Sequence, residues 1–184
     1  MQSFFQNTHS RFFLLLLTLG SFSLGMTEYS MIGFSDEMTA DLQLTSHQTS
    51  QVMSAYAMGV LIGAPVLAIL GAKLNRHTLL AYLLLWCASA NLFTSFAQSY
   101  EQLRLLRIFN GFPHGIYFST AALLIYDLFP KHKRANCIGM MFAGIGMALI
   151  MAVPFNTWVG ELQGWRYMYR FMALIDLLIL VLLH

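Results

Sequence analysis

The sequence predicts an all-α membrane protein of six transmembrane helices, and three observations carry that prediction. Six mostly apolar stretches of roughly twenty residues follow one another from Phe12 to the end of the 184-residue chain, each long enough to cross a bilayer as a helix. Hydrophobic residues make up 58% and charged residues 10% of the chain, against about 25% charge in a soluble domain, which excludes a single soluble core. The Lys and Arg residues collect in short turns between alternate stretches, where topology is encoded. In hydrocarbon the backbone must satisfy its own hydrogen bonds, so these stretches are helices and function lies where polar groups face inward.

The first span covers 12–34. Arg11 ahead of the apolar run 13–17 resembles the start of a signal peptide, but the run continues past Gly25 without an A-x-A site and therefore reads as a span. The loop 35–48 is acidic through Asp36, Glu37 and Asp41 and holds no Lys or Arg. It ends in Thr45-Ser46-His47-Gln48, a capping box that opens the next helix. The second span, 49–71, leads into a turn with Lys73 and Arg76; the third covers 78–96 and the fourth 102–125. Lys131, Lys133 and Arg134 follow, then the fifth span at 135–159 and the sixth at 167–183. Because cytoplasmic loops collect Lys and Arg, the N-terminus and both basic turns are expected in the cytoplasm and the acidic loop outside. The chain stops at Leu182-Leu183-His184 within an apolar run that has no basic flank, which predicts an interrupted sequence.

Within the spans, small residues four apart recur at Gly59/Gly63, Gly111/Gly115 and Gly144/Ala148, the spacing that lets membrane helices approach closely. Pro65, Pro113 and Pro154 sit inside the second, fourth and fifth spans, where each removes a backbone donor and predicts a bend. Cys87 and Cys137 show no CxxC spacing and read as small buried hydrophobes, not as a disulfide or zinc pair.

Charges inside spans are the informative positions, since each costs about 2.5–3.5 kcal/mol at the bilayer centre on insertion scales. They are Glu28, Arg107 and Asp176. Glu28 lies about 9 Å beneath the external end of its span and Arg107 about 8 Å beneath its own, at 1.5 Å per residue. At a shared depth the carboxylate and guanidinium could pair, with proton binding to Glu28 competing against that pairing. The alternative is a static ion pair that holds the bundle together. Asp176 falls near the midplane, where it is a weaker functional candidate or an incidental polar position. His114, one or two turns beyond Arg107, could relay protons or could be a packing histidine. Tyr29, Tyr56, Asn91, Asn110, Tyr117 and Asn156 could line a pathway for a polar substrate, though singly each suits a structural role.

No G-x-S-x-G, HExxH, P-loop or paired-carboxylate metal box occurs, so no enzyme, cofactor or metal is expected, and without a P-loop an ion gradient is the expected energy source. The net charge of +2 sits in inter-span turns, not in a stripe, which argues against nucleic acid as a partner.

Four segments then carry a resemblance to the N-terminal half of a major facilitator superfamily transporter, in the drug:proton antiporter branch that includes arabinose and sugar efflux permeases. Gly25-Met26-Thr27-Glu28-Tyr29 with Gly33 resembles the G-x-T-E-F signature of the first helix. Gly63-Ala64-Pro65 with Lys73, Asn75-Arg76-His77 and Leu80 resembles the second helix and its cytoplasmic gating turn, with Ala72 and Asn75 where the superfamily usually has Gly and Asp. Leu103, Arg107, Asn110, Gly111 and Pro113-His114-Gly115 resemble the R-x-x-x-G-x-P-H-G stretch of the fourth helix. Gly139, Gly144, Pro154 and Gly164-Trp165-Arg166 resemble the fifth helix and the start of the sixth; the antiporter Gly-Pro pair is replaced by Gly144-Ile145.

The resemblance implies a multi-pass protein of a bacterial-type inner membrane, one six-helix half built from inverted triple-helix repeats. It further implies a missing second half, and a small-molecule substrate and protons as partners beside the lipid bilayer. Glu28, Arg107 and His114 would line one wall of the cavity. The expected function is proton-coupled efflux of a small polar or amphipathic molecule, a sugar or drug. A non-transporting membrane scaffold or inert truncated product, and a uniporter or symporter of the same fold, are the alternatives.

Overall fold

The computed structural model describes residues 2–183, which form six helical rods that alternate in direction along the chain. The first rod is broken into α1 (Gln2–Glu28) and α2 (Ser30–Asp41). Then come α3 (Ser46–Gly71), α4 (Arg76–Thr94) and α5 (Tyr100–Leu128). The fifth rod comprises α6 (Lys131–Met147), a π-helical turn (Ala148–Ala152) and α7 (Val153–Gln163); α8 (Trp165–Leu183) is the sixth.

Four of the six rods are long and apolar enough to cross a membrane by length and composition: 9–41, α3, α4 and 131–163. The other two carry charges within their apolar runs, Arg104 and Arg107 on α5 and Arg170 and Asp176 on α8. Arg107 and Asp176 are each only 1% exposed, so the bundle, not lipid, receives them.

The acidic segment expected as a loop over 35–48 is mostly helix. The first rod kinks at Phe34 (φ −143°, ψ 32°), where the first span was expected to end, and then stays helical to Asp41, leaving only 42–45 outside regular structure before α3. The continuation is anchored at its far end, where Asp41 accepts from Trp165 Nε1 at 3.2 Å and pairs with Arg166. The capping box at its foot forms as the sequence predicts: the Thr45 side chain accepts from Gln48 N–H, and Gln48 Oε1 accepts from Thr45 N–H at 2.9 Å. Lys131, Lys133 and Arg134 lie in the first turn of α6, not in a loop.

The three prolines act differently. α3 and α5 run unbroken through Pro65 and Pro113. Pro113 cannot donate to the carbonyl four residues back, that of Phe109, and Trp86 Nε1 on α4 donates to that carbonyl instead at 2.9 Å. Pro154 sits just after the π turn, where the Val153 N–H reaches back five residues to Ala148 O.

α3 and α5 pack backbone to backbone through the glycine pairs. A Cβ at Gly59 would lie 2.0 Å from Ile108 O and one at Gly111 2.2 Å from Tyr56 O, so only hydrogen fits on either side.

Contacts between rod ends set the topology. Arg76 at the start of α4 pairs with Asp127 near the end of α5, and the Phe13 ring lies 5.0 Å from that of His77. The first-rod start and both basic turns therefore share one end of the bundle. At the other end, Arg166 donates to Ala97 O at 2.8 Å, joining the α8 start to the α4 end.

Two apolar clusters fill the interior. One, around Leu17, Leu80, Leu84, Tyr117 and Met141, lies toward the basic end; Cys87 and Cys137 belong to it. The other, around Met31, Phe34, Met38, Leu103, Met168 and Met172, lies toward the opposite end. Between them sits a layer of buried polar side chains that includes Ser23, Thr27, Ser30, Asn91, Arg107 and Asp176.

Candidate functional site

The site begins with the break in the first rod. At Tyr29 (φ −85°, ψ 3°) the helix is interrupted, and the end of α1 would leave carbonyls without intrahelical donors in the interior of a bundle. Arg107 of α5 fills that need. Its Nη1 donates to Thr27 O at 2.8 Å and its Nη2 to Glu28 O at 3.4 Å. Nη1 is also 3.3 Å from Ser30 Oγ and 3.4 Å from Tyr169 Oη, while Ser30 Oγ donates to the same Thr27 O at 2.8 Å. A cation at the C-terminal end of a helix is favoured by the helix dipole as well as by these hydrogen bonds. The guanidinium also lies over the Tyr56 ring, 4.7 Å from its centroid, where the π face attracts it.

The expected pairing of side chains between Glu28 and Arg107 is therefore not the one made. Arg107 holds the Glu28 backbone carbonyl, because the helix break turns that oxygen toward α5. The Glu28 carboxylate instead faces His114, with Oε2 3.8 Å from Nε2, and Oε2 makes no hydrogen bond among the described residues. On its other side His114 Nδ1 shares a proton with the Tyr56 hydroxyl at 2.9 Å. Side-chain exposure is 33% for Glu28 and 13% for His114, so the carboxylate is the member of the group open to the outside of this half.

Glu28, His114 and Tyr56 form a line of three proton-carrying groups from three rods. With Tyr56 donating to Nδ1, the His114 Nε2 carries its hydrogen toward an ionised Glu28. With Nδ1–H donating to Tyr56, Nε2 presents a lone pair to a protonated Glu28. The line can therefore take up one proton on the Glu28 carboxylate, with the His114 tautomer changing to match and no heavy atom moving far.

The remaining expected pathway residues are dispersed. Asn91 Nδ2 donates to Asp176 Oδ2 and to Thr27 Oγ1, both at 3.0 Å. Asn110 Nδ2 donates to Thr94 Oγ1 at 2.9 Å. The Tyr117 hydroxyl donates to Leu17 O at 2.9 Å from within the apolar core. Asn156 is fully buried in α7, packed against Gly33. Tyr29, half-buried, sits at the break itself. Lys73 is exposed at the end of α3, whereas Arg76 is tied to Asp127 and donates to Leu123 O at 3.3 Å. Asn75, standing where the resemblance predicts Asp, caps α4 by accepting from Thr78 N–H at 2.8 Å.

Sequence reasoning missed Tyr169, Ser30 and Thr27 as partners of Arg107. Nothing in their type or spacing marks them as partners of a residue 62 to 80 positions away in the chain. Asp127, two residues beyond the expected fourth span, was also missed; alternation of the spans puts it on the same side as Arg76. An apolar groove of about 690 Å³ between α3, α4 and α5, walled by Leu67, Leu70, Trp86 and Phe93, holds none of the charged groups.

Comparison with known proteins agrees with this architecture. The family model of the Major Facilitator Superfamily matches residues 17–184. An uncharacterised MFS-type transporter of Bacillus subtilis, YtbD, is 33% identical over 156 residues, covering 85% of this chain and 39% of the relative. The inner membrane transport protein YdhP of Escherichia coli K12 is 34% identical over 153 residues, covering 83% and 39%. A crystal structure of a bacterial homologue of the human lysosomal transporter Spinster, inward-facing and unoccupied, superposes with a TM-score of 0.77 at 17% identity, over 95% of this chain and 42% of that one. The chain thus spans about 40% of the length of the proteins it matches.

Proposed function

The chain belongs to the Major Facilitator Superfamily, and from that premise we propose that it is one six-helix half of a secondary transporter driving efflux of a small polar or amphipathic molecule, a sugar or drug, against proton entry. The observation that carries the reading is the Glu28–His114–Tyr56 line on the end of a broken helix that the buried Arg107 caps. In this reading Glu28 exchanges a proton with the aqueous cavity, and His114 receives it when the substrate or closure of the cavity displaces it. Arg107 sets the level of the helix end from which Glu28 projects, so the carboxylate is held opposite His114 in both charge states. The second wall of the cavity, and with it alternating access, comes from a further six-helix half. The N-terminus and the Lys73 and Lys131 turns face the cytoplasm by the distribution of basic residues.

Inside-out vesicles bearing the full-length parent test this, with labelled arabinose and an amphipathic cationic dye as probes. An imposed pH gradient is expected to drive probe movement in the parent and not in its Glu28→Gln variant. Equal gradient-driven flux in the two would refute the role of Glu28.

A further inference from the structure

Asp176 lies fully inside the bundle, 1% exposed, near the middle of α8. Both of its oxygens accept from neutral donors: Oδ1 from Ser23 Oγ at 2.7 Å and Oδ2 from Asn91 Nδ2 at 3.0 Å. Among the described residues no Lys, Arg or His stands within 4.0 Å of it. The titratable groups that bear on it are the Cys87 thiol of α4 and the Tyr117 hydroxyl of α5; α1 contributes the hydroxyls of Ser23 and Thr27. None of these is a cation. An ionised carboxylate so enclosed would keep an uncompensated charge in a low-dielectric interior, which is among the costliest arrangements a bundle can hold.

Neutralisation removes that cost, and the geometry decides by what. Each oxygen keeps a lone pair beside its Ser23 or Asn91 donor, but among the described residues no cluster of His, Cys, Asp or Glu joins Asp176 to hold a metal ion. A proton needs no such cluster. It forms one O–H bond on Asp176, after which Asp176 donates to Ser23 Oγ and the short contact at Oδ1 is kept with its direction reversed.

The pocket is also wired to the candidate site. Asn91 Nδ2 donates to Thr27 Oγ1 at 3.0 Å, and the backbone carbonyl of the same Thr27 is the acceptor that Arg107 holds at 2.8 Å. Two side chains therefore separate Asp176 from the cap on the broken helix.

We propose that Asp176 is a second proton-binding site of this half, enclosed by Ser23 and Asn91 and joined through Asn91 and Thr27 to the helix end that Arg107 caps. A contribution of this proton to transport rests on the proton-coupled reading above; the binding of the proton itself does not.

Infrared difference spectroscopy of the full chain reconstituted in lipid, between acid and alkaline buffer, tests the binding directly. The carbonyl stretch of a protonated carboxylic acid is expected, lost in Asp176→Asn and retained in Glu28→Gln. A spectrum whose carboxylic-acid bands are the same with and without Asp176→Asn overturns the proposal. Should that variant fail to fold, Ser23→Ala keeps the carboxyl and removes one hydrogen-bond partner; a shift of the band supports the site and an unshifted spectrum overturns it. Loss of gradient-driven flux without any change in this band would bear on the role of Glu28 alone, so the two readings fail separately.

Discussion

Arg107 is the residue on which the site depends, and its chemistry explains why Lys would not replace it. Its contacts to Thr27 O, Glu28 O, Ser30 Oγ and Tyr169 Oη are spread over two terminal nitrogens, and its plane covers Tyr56. A planar fork reaches such partners together; a single ammonium does not. Arg107→Lys is expected to lower stability by about 1.5–3 kcal/mol, the scale of a lost hydrogen bond to a charged group. Arg107→Ala should cost more, because the carbonyls it leaves are buried without donors. Thermal unfolding in detergent checks both, and melting unchanged in Arg107→Lys would remove the capping role. At the entry to α3, Thr45→Ala should cost about 1 kcal/mol through loss of the capping box, read in the same assay. The Tyr56 hydroxyl is expected to matter for coupling and not for folding: Tyr56→Phe keeps the ring under Arg107 and removes the partner of His114 Nδ1. Its melting point should match the parent while the pH profile of flux shifts; an unmoved profile would leave the phenol outside the proton line.

At the scale of elements, the glycine pairs decide how near α3 and α5 can come. Gly59→Ala puts a methyl carbon 2.0 Å from Ile108 O, a contact that forces the rods apart and is expected to cost about 1–3 kcal/mol. Gly139→Ala, with nothing within 4 Å of its added carbon, should be neutral or stabilise by up to about 1 kcal/mol. Paired melting curves separate the two, and equal effects would contradict the close-approach account. These pairs were legible because spacing by four is a property of the sequence, as were the Thr45 capping box and the alternation of basic turns. The break at Tyr29 was not: no Pro or Gly occupies the position, and the carbonyls it leaves at Thr27 and Glu28 are taken by Arg107, with Ser30 also on Thr27 O, partners that no local sequence pattern announces. Depth along the rods correctly brought residues 28 and 107 to one level, yet depth carries no information about whether the backbone or the side chain of Glu28 turns inward. Dispersal of Asn91, Asn110 and Tyr117 into the interior has the same origin, since residue type alone does not distinguish a cavity wall from a helix interface. The loop expected over 35–48 became helix because its polar end is anchored by Trp165 and Arg166, residues about 125 positions away in the chain.

For the molecule as a whole, a polar layer lies between two apolar clusters, and the proposed proton chemistry is confined to that layer. The rods at its edge are strongly apolar on their free faces: Leu61, Ile69 and Ile150 are each 76% exposed, as expected where lipid or a second six-helix half covers them. That the matched relatives are more than twice as long fits the second of these for one face of the half. In the proposed function Glu28 couples proton movement to substrate movement without itself being needed for substrate binding or for the fold. Counterflow across proteoliposomes holding the chain together with a second six-helix half measures this most directly, because exchange of labelled for unlabelled arabinose at equal pH needs binding and alternating access but no net proton transfer. Glu28→Gln is expected to exchange the probe at a rate close to the parent and to fail to accumulate it under a pH gradient. Accumulation by Glu28→Gln equal to the parent under the same gradient would contradict it.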